Sequence, residues 1–226
     1  MKIGFVVDGE AEFRSFAKLY SRLSTKHTLL NPLRTDIQPL SSAKQIAAVV
    51  DSPINILRGK QASLIVILID REDRSECPGQ WATNIEAEVK TRYSFMQNCR
   101  FAVVVKNTCY ENWLISDTNV FINMPKRFNL SQKRISQVVP GKADKVDAQS
   151  VLKEAAIQKS YDKIADAVHI MTHANPLIMA ANSRSFRRLL RIIESPPYLQ
   201  QSRHPAPPTD QLKQPSNPTN KKRSLY

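Results

Sequence analysis

The chain has 226 residues, 42% of them hydrophobic, which suits one globular domain with attachments and enough chain for a substantial core. Its longest apolar runs, Leu64 to Ile69 and Phe101 to Val105, are strand-sized, and its start lacks the basic, apolar, small-residue order of a signal peptide, so neither a membrane span nor a secreted protein is expected. The net charge of +13 falls late: residues 1–125 carry 15 Lys and Arg against 13 Asp and Glu, residues 126–226 carry 18 against 7, and such a basic half points to a polyanionic partner, most often nucleic acid.

In chain order, Lys2 to Val7 reads as a short buried strand ended by Asp8-Gly9. A helix follows with Phe13, Phe16, Ala17, Tyr20 and Leu23 on one face. Leu29 to Pro39 holds a second, irregular strand. Ser41-Ser42 caps a helix carrying Ile46, Val49 and Val50, which Pro53 breaks or restarts. Leu64 to Ile69 is a six-residue apolar strand, mostly β-branched, stopped at Asp70. Trp81, Ile85, Val89, Tyr93 and Met96 mark an amphipathic helix, and Phe101 to Val105 another buried strand. Alternating strands and helices with near-continuous apolar strands predict an α/β, Rossmann-like fold with a mainly parallel sheet covered on both faces.

After residue 125 the pattern turns helical, over about 149–158, 159–172 and 183–194. From Ser195 onward, prolines share the segment with Gln, Ser, Asn and the KKR of 221–223, too polar to fold alone. The expected organisation is therefore an α/β core over 1–125, a basic helical extension packed on it over 126–195, and a disordered, Pro-rich basic tail over 196–226. Cys77, Cys99 and Cys109 form no paired spacing and leave an odd one; reduced, buried thiols in the cytoplasm are expected, and a structural zinc is not.

The stretch VVDGEAE, residues 6–12, crowds Asp8, Glu10 and Glu12 where the first apolar run stops, although like charges this close resist ionising together. Asp70, Glu72, Asp73 and Glu76 crowd the end of the Leu64 to Ile69 strand in the same way. Parallel strands put both ends at one edge of the sheet, where α/β sites form. Hard oxygen ligands gathered there suit Mg²⁺ or Mn²⁺. The alternative is that acidic residues simply favour the first turn of the next helix, as Glu10 and Glu12 would.

Two sequence features bear on the basic half. Arg184, Arg187, Arg188 and Arg191 recur at helical spacing opposite Phe186, Leu189, Leu190 and Ile193, so one helix face is all arginine. That face is read either as a phosphate-backbone contact that positions nucleic acid without reading sequence, or as a solvated or partner-facing surface. His169 and His173 stand four apart, but no third ligand accompanies them and no metal role is expected.

Asp8-Gly9 followed by Glu12, then Asp70-Arg71-Glu72 after a hydrophobic strand, resembles the topoisomerase-primase (Toprim) superfamily, with Asp8 in place of the usual Glu and Glu72 in place of the second Asp. YENWLISD, residues 110–117, and NSRSFRRLL, residues 182–190, are similar to stretches of a small stand-alone branch related to the overcoming-lysogenization-defect (OLD) nucleases, often encoded beside phage-defence ATPases. The resemblance implies a Toprim core and Mg²⁺-dependent phosphodiester chemistry, with Asp8, Asp70 and Glu72 on the metal and Glu12 completing the set. Lys106 is then the candidate cation at the leaving oxygen. Glu111 is a further candidate near the metal, Trp113 belongs to the core, and Asp117, on Trp113's helical face, is structural. Expected partners are nucleic acid (DNA or RNA) and an ATPase, with self-association open. A non-catalytic binding subunit on a degenerate site is the second reading. A phosphoacceptor receiver using Asp8, Asp70 and Lys106 is the third, disfavoured by the missing second acid beside Asp8.

Overall fold

The computed structural model describes residues 1–38 and 40–198. Its centre is a parallel sheet of β1 (Lys2–Val7), β2 (Thr28–Leu29), β3 (Leu33–Arg34), β4 (Leu64–Asp70) and β5 (Arg100–Lys106). β2 and β3 both pair with one side of β1, and β4 and then β5 follow on the other. The irregular second strand of the sequence reading is thus two short strands. Between them lies Pro32, which has no N–H to give a ladder.

Both sheet faces are apolar because residues alternate between two cores. Val6, Ile65, Ile67, Ile69 and Val103 pack under α2 (Ala43–Val49), α3 (Asp51–Gly59) and α4 (Pro78–Arg92). Ser42 caps α2 as expected, its Oγ accepting from Gln45 N at 3.3 Å, and Pro53 sits in the first turn of the restarted helix. Gly4 lets α3 approach β1: a Cβ there would lie 2.7 Å from Leu57 Cδ2.

Ile3, Phe5, Val7, Val66, Leu68 and Val104 face the other core. It is covered by α1 (Glu10–Ser15), α5 (Tyr110–Ile115), α6 (Thr118–Ile122), α7 (Gln132–Val138), α8 (Ala148–Ala155), α9 (Ala165–His173), α10 (Pro176–Asn182) and α11 (Arg184–Ile192). Phe186 and Leu189 of the helical part belong to the same apolar cluster as Phe5 and Val66 of the sheet.

Several local expectations are corrected. The first helix gives way after Ser15 to a 3₁₀ helix, Phe16–Arg22. Its three-residue period buries Phe16 and Leu19, while Phe13 stays exposed. The helix expected over 159–172 begins only at Ala165, because 156–164 is a loop starting with an antiparallel bridge between Phe128 and Ala156. α5 ends at Ile115, so Trp113 and Asp117 do not share a helix face. Asp117 instead caps α6, accepting from Asn119 N at 3.1 Å and from Asn175 N at 2.7 Å. The cysteines are free but not buried: Cys77 is exposed, Cys99 and Cys109 half-buried. Pro196–Tyr198 form a 3₁₀ turn; the rest of the expected disordered tail lies outside the described residues. No helix among the described residues is long and apolar enough to cross a membrane.

β5 ends the sheet, leaving the outward N–H and C=O of Val103 without a strand. Glu86 of α4 accepts from Val103 N at 2.9 Å, and Arg188 of α11 donates to Val103 O at 3.3 Å. The two side chains also pair with each other at 3.4 Å.

Candidate functional site

Asp8 follows β1, Asp70 ends β4, and Lys106 ends β5 directly opposite Asp70 in the register. Parallel pairing therefore brings the two acids and the lysine to one edge, as the sequence implied for Asp8 and Asp70. Glu12 joins them from α1. Its Oε2 accepts from Gly9 N at 3.2 Å, closing the first turn of the helix, and its Oε1 accepts from Lys106 Nζ at 2.5 Å. Both roles weighed for this glutamate, helix capping and membership of the acidic cluster, are filled by one side chain. Lys106 Nζ also lies 2.9 Å from Asp70 Oδ1, with its side chain fully buried. The cation among the crowded carboxylates is thus a lysine of the chain itself.

One ammonium does not offset three carboxylates. Burial pushes the Glu12 carboxyl up to about 7, against the pull of Lys106 and with the help of Asp70. Burial likewise raises Asp8 and Asp70, again against Lys106. Asp8 Oδ1 accepts from Ile37 N at 3.2 Å, which holds it in place. Burial lowers the tendency of Lys106 to hold its proton, but Asp70, Glu12 and Asp8 outweigh it, and the lysine stays protonated.

The edge opens into a cavity of about 960 Å³ lined by Glu12, Asp70, Glu72, Asp73, Glu111 and, from the helical half, Lys145, Asp147 and Lys163. Glu72 follows the end of β4 with φ of 51°, a left-handed conformation uncommon for a glutamate and more frequent at functional sites. Burial, then Asp70 and Asp8, raise its carboxyl. Glu111 is buried in the cavity wall, 3.6 Å from Lys163 Nζ. Glu10 also lines the cavity, but its carboxylate is taken up by Arg14 at 2.6 Å and by Arg34.

Among the described residues no three His, Cys, Asp or Glu side chains are arranged to hold an ion. Mg²⁺ asks for less, since one or two carboxylates with waters and substrate phosphate commonly suffice. Asp70 with Asp8 or Glu72 fits that demand. All three are hard donors whose charged forms are disfavoured as they stand. Asp70 Oδ1 is also buried, and no hydrogen bond reaches it beyond the ion pair with Lys106 Nζ at 2.9 Å.

The two motifs outside the acidic cluster meet in the core. Trp113 is buried, donates from Nε1 to Ser185 Oγ at 2.7 Å and stacks edge-on against Phe186 with ring centroids 5.1 Å apart. Asn112 accepts from Thr108 N and Cys109 N at 3.1 and 3.0 Å and donates to Ala143 O and Val146 O, both at 2.8 Å. Asp144 accepts from Ser183 Oγ, Arg184 N, Ser185 N and Ser185 Oγ at 2.7–3.2 Å, anchoring the start of α11. Asn112 and Ser183 lay inside stretches singled out in the sequence, without a role. Asp144, between lysines in GKADKVD, gave no signal.

The arginine stripe is partly spent within the fold. Arg187 donates to Ala180 O and Ala181 O, and Arg188 to Val103 O. Arg184 is exposed and Arg191 half-buried. None of the four lines the cavity. His173 Nδ1 lies 2.9 Å from His169 O, and neither histidine belongs to a ligand group.

No curated protein and no solved structure matches the chain. A family described as Domain of unknown function (DUF4276) matches residues 10–194, from α1 through α11, and that description names neither Toprim nor OLD. With most of its length inside that match, the chain belongs to the DUF4276 family.

Proposed function

We propose that the protein is a Mg²⁺- or Mn²⁺-dependent nuclease of Toprim type, cleaving nucleic-acid phosphodiesters in the cytoplasm as a phage-defence effector alongside an ATPase partner. The observation that carries this is the convergence of Asp8, Glu12 and Asp70 on the carboxyl edge of a parallel sheet, Glu12 and Asp70 lining a cavity and Asp8 close behind them, with more negative charge than Lys106 offsets. Asp70, with Asp8 or Glu72, would hold the ion. When bound, it neutralises charge on the phosphate under attack and makes water a better nucleophile.

The chain's own residues divide the remaining work. Glu12, with a carboxyl near neutrality, is suited to take a proton from an attacking water and return it. Lys106 is buried and absent from the cavity lining, so it serves as a positioning residue, fixing Glu12 and Asp70, rather than at the leaving oxygen. Glu111 lines the same cavity, near enough to Asp70 to help raise its carboxyl, and is paired with Lys163. The test is incubation of the purified protein with plasmid, single-stranded DNA and tRNA in Mg²⁺, Mn²⁺ or EDTA, with and without the ATPase partner. Metal-dependent cleavage supports the proposal; its absence under all these conditions overturns it.

One observation favours a second reading, a binding subunit on a degenerate site: an ammonium already lies among the carboxylates and no three of them are arranged around an ion. Titration of Mn²⁺ by calorimetry separates the two, since that subunit would bind no metal at Asp70.

A further inference from the structure

The acidic side of the cavity repels the anionic chain it is proposed to cut, so cations must meet that chain elsewhere. We propose that Lys145 and Lys163 bind backbone phosphates of a single-stranded nucleic-acid segment lying in the cavity, an inference that rests on the phosphodiester reading of the site.

Both lysines line the cavity, and both come from the basic helical half. Lys145 ends the 3₁₀ turn Ala143–Lys145, which is clamped on two sides: Asn112 donates to Ala143 O and Val146 O, and Asp144 anchors the start of α11. The Lys145 side chain is exposed and makes no hydrogen bond or ion pair among the described residues. Lys163 lies on the loop before α9. Arg127 fixes that loop, donating to Lys159 O at 2.8 Å and Ser160 O at 2.9 Å, and the Lys163 ammonium projects to 3.6 Å from Glu111. A fixed backbone carrying an ammonium on a long side chain suits contact with a phosphate, which needs charge more than directionality. The α11 arginines are the competing cations, but two of them hold backbone carbonyls and none lines the cavity.

The size of the cavity selects the substrate. Pockets of about 300–1,000 Å³ enclose a drug-sized molecule. A cavity of about 960 Å³ therefore takes a few linked nucleotides and leaves a duplex outside.

The test is fluorescence anisotropy in EDTA, with labelled single-stranded DNA, single-stranded RNA, a duplex and a dinucleotide. The wild type is expected to bind at least one single strand more tightly than the duplex, and the dinucleotide arm tells a strand from a free small ligand. The double variant Lys145→Gln, Lys163→Gln should weaken single-strand binding about tenfold and flatten the dependence of log K on log salt by about 1.4, two contacts at about 0.7 each. Arg184→Gln should change binding less than twofold. Lys145→Arg, Lys163→Arg keeps the charge and should restore the slope, which separates phosphate contact from misfolding. A double variant that binds like the wild type, a duplex bound as tightly as the single strand, or no oligonucleotide binding by the wild type overturns the inference. Because no metal is present, this result is independent of whether the protein cleaves.

Discussion

Lys106, at the end of β5, and Glu12, in the first turn of α1, are 94 residues apart in sequence and meet as a buried pair with Nζ 2.5 Å from Oε1. The lysine is the countercharge for Asp70 as well, so Lys106→Met would leave buried carboxylates uncompensated. The expected loss is on the order of 3–5 kcal/mol at neutral pH. It should shrink at pH 5, where the acids can take up protons. Urea denaturation at the two pH values checks this, and an equal loss at both would mean that Lys106 acts by packing alone.

Glu12 gives the metal-free protein a pH dependence. Its folded carboxyl titrates near 7 and its unfolded one near 4.5, so the folded state binds the proton more tightly in between. The resulting stabilisation is complete below the unfolded value and is lost as pH rises through about 7. In EDTA the protein should therefore be less stable at pH 8 than at pH 5, by on the order of 1–3 kcal/mol from this group. Glu12→Gln should flatten that part of the profile; a profile unchanged by the substitution would place the titration elsewhere.

Asp70→Ala should abolish metal-dependent cleavage while leaving the melting temperature without metal unchanged or raised, since one member of a repelling cluster is gone. Oligonucleotide binding in EDTA should persist. Full cleavage by the purified variant would end the assignment of this edge as the nuclease site.

Gly4→Ala should cost about 1–3 kcal/mol, because the new methyl meets the buried Leu57 side chain. Shortening Leu57 to alanine in the same chain should cost less than the two changes separately, a coupling that a double-mutant cycle reads directly.

Asp144→Ala removes the acceptor of four hydrogen bonds, two of them from backbone N–H groups at the start of α11. A loss of about 2–4 kcal/mol is expected from chemical denaturation, through the unsatisfied donors left behind. A loss under 1 kcal/mol, roughly that of an ordinary surface change, would show that water replaces the carboxylate.

The centre of the sheet was legible because β1, β4 and β5 are apolar runs stopped by a charged residue, Asp8, Asp70 and Lys106 in turn, whereas β2 and β3 are too short to give a pattern. That Asp8 and Asp70 share an edge followed from parallel pairing alone. That Trp113 lies on a helix was read, but not that this helix stops at Ile115: all six residues of α5 are buried, so no polar face marks where its period ends. The place of Lys106 was equally hidden. Nothing near it in sequence shows that its ammonium turns inward onto Glu12 and Asp70 instead of outward to a ligand. The arginine face was read correctly as an amphipathic pattern, yet periodicity cannot tell a solvated guanidinium from one that holds a carbonyl, as Arg187 and Arg188 do.

The Glu86 and Arg188 contacts to Val103 also constrain how copies of this protein can associate. A neighbouring chain adding a strand along β5 would have to displace both side chains and the ion pair between them, exchanging satisfied backbone groups for others of the same kind. Continuous sheets running from one molecule into the next through this border are therefore disfavoured. Assemblies are directed instead to helical surfaces or to the side of the sheet carrying the two short strands.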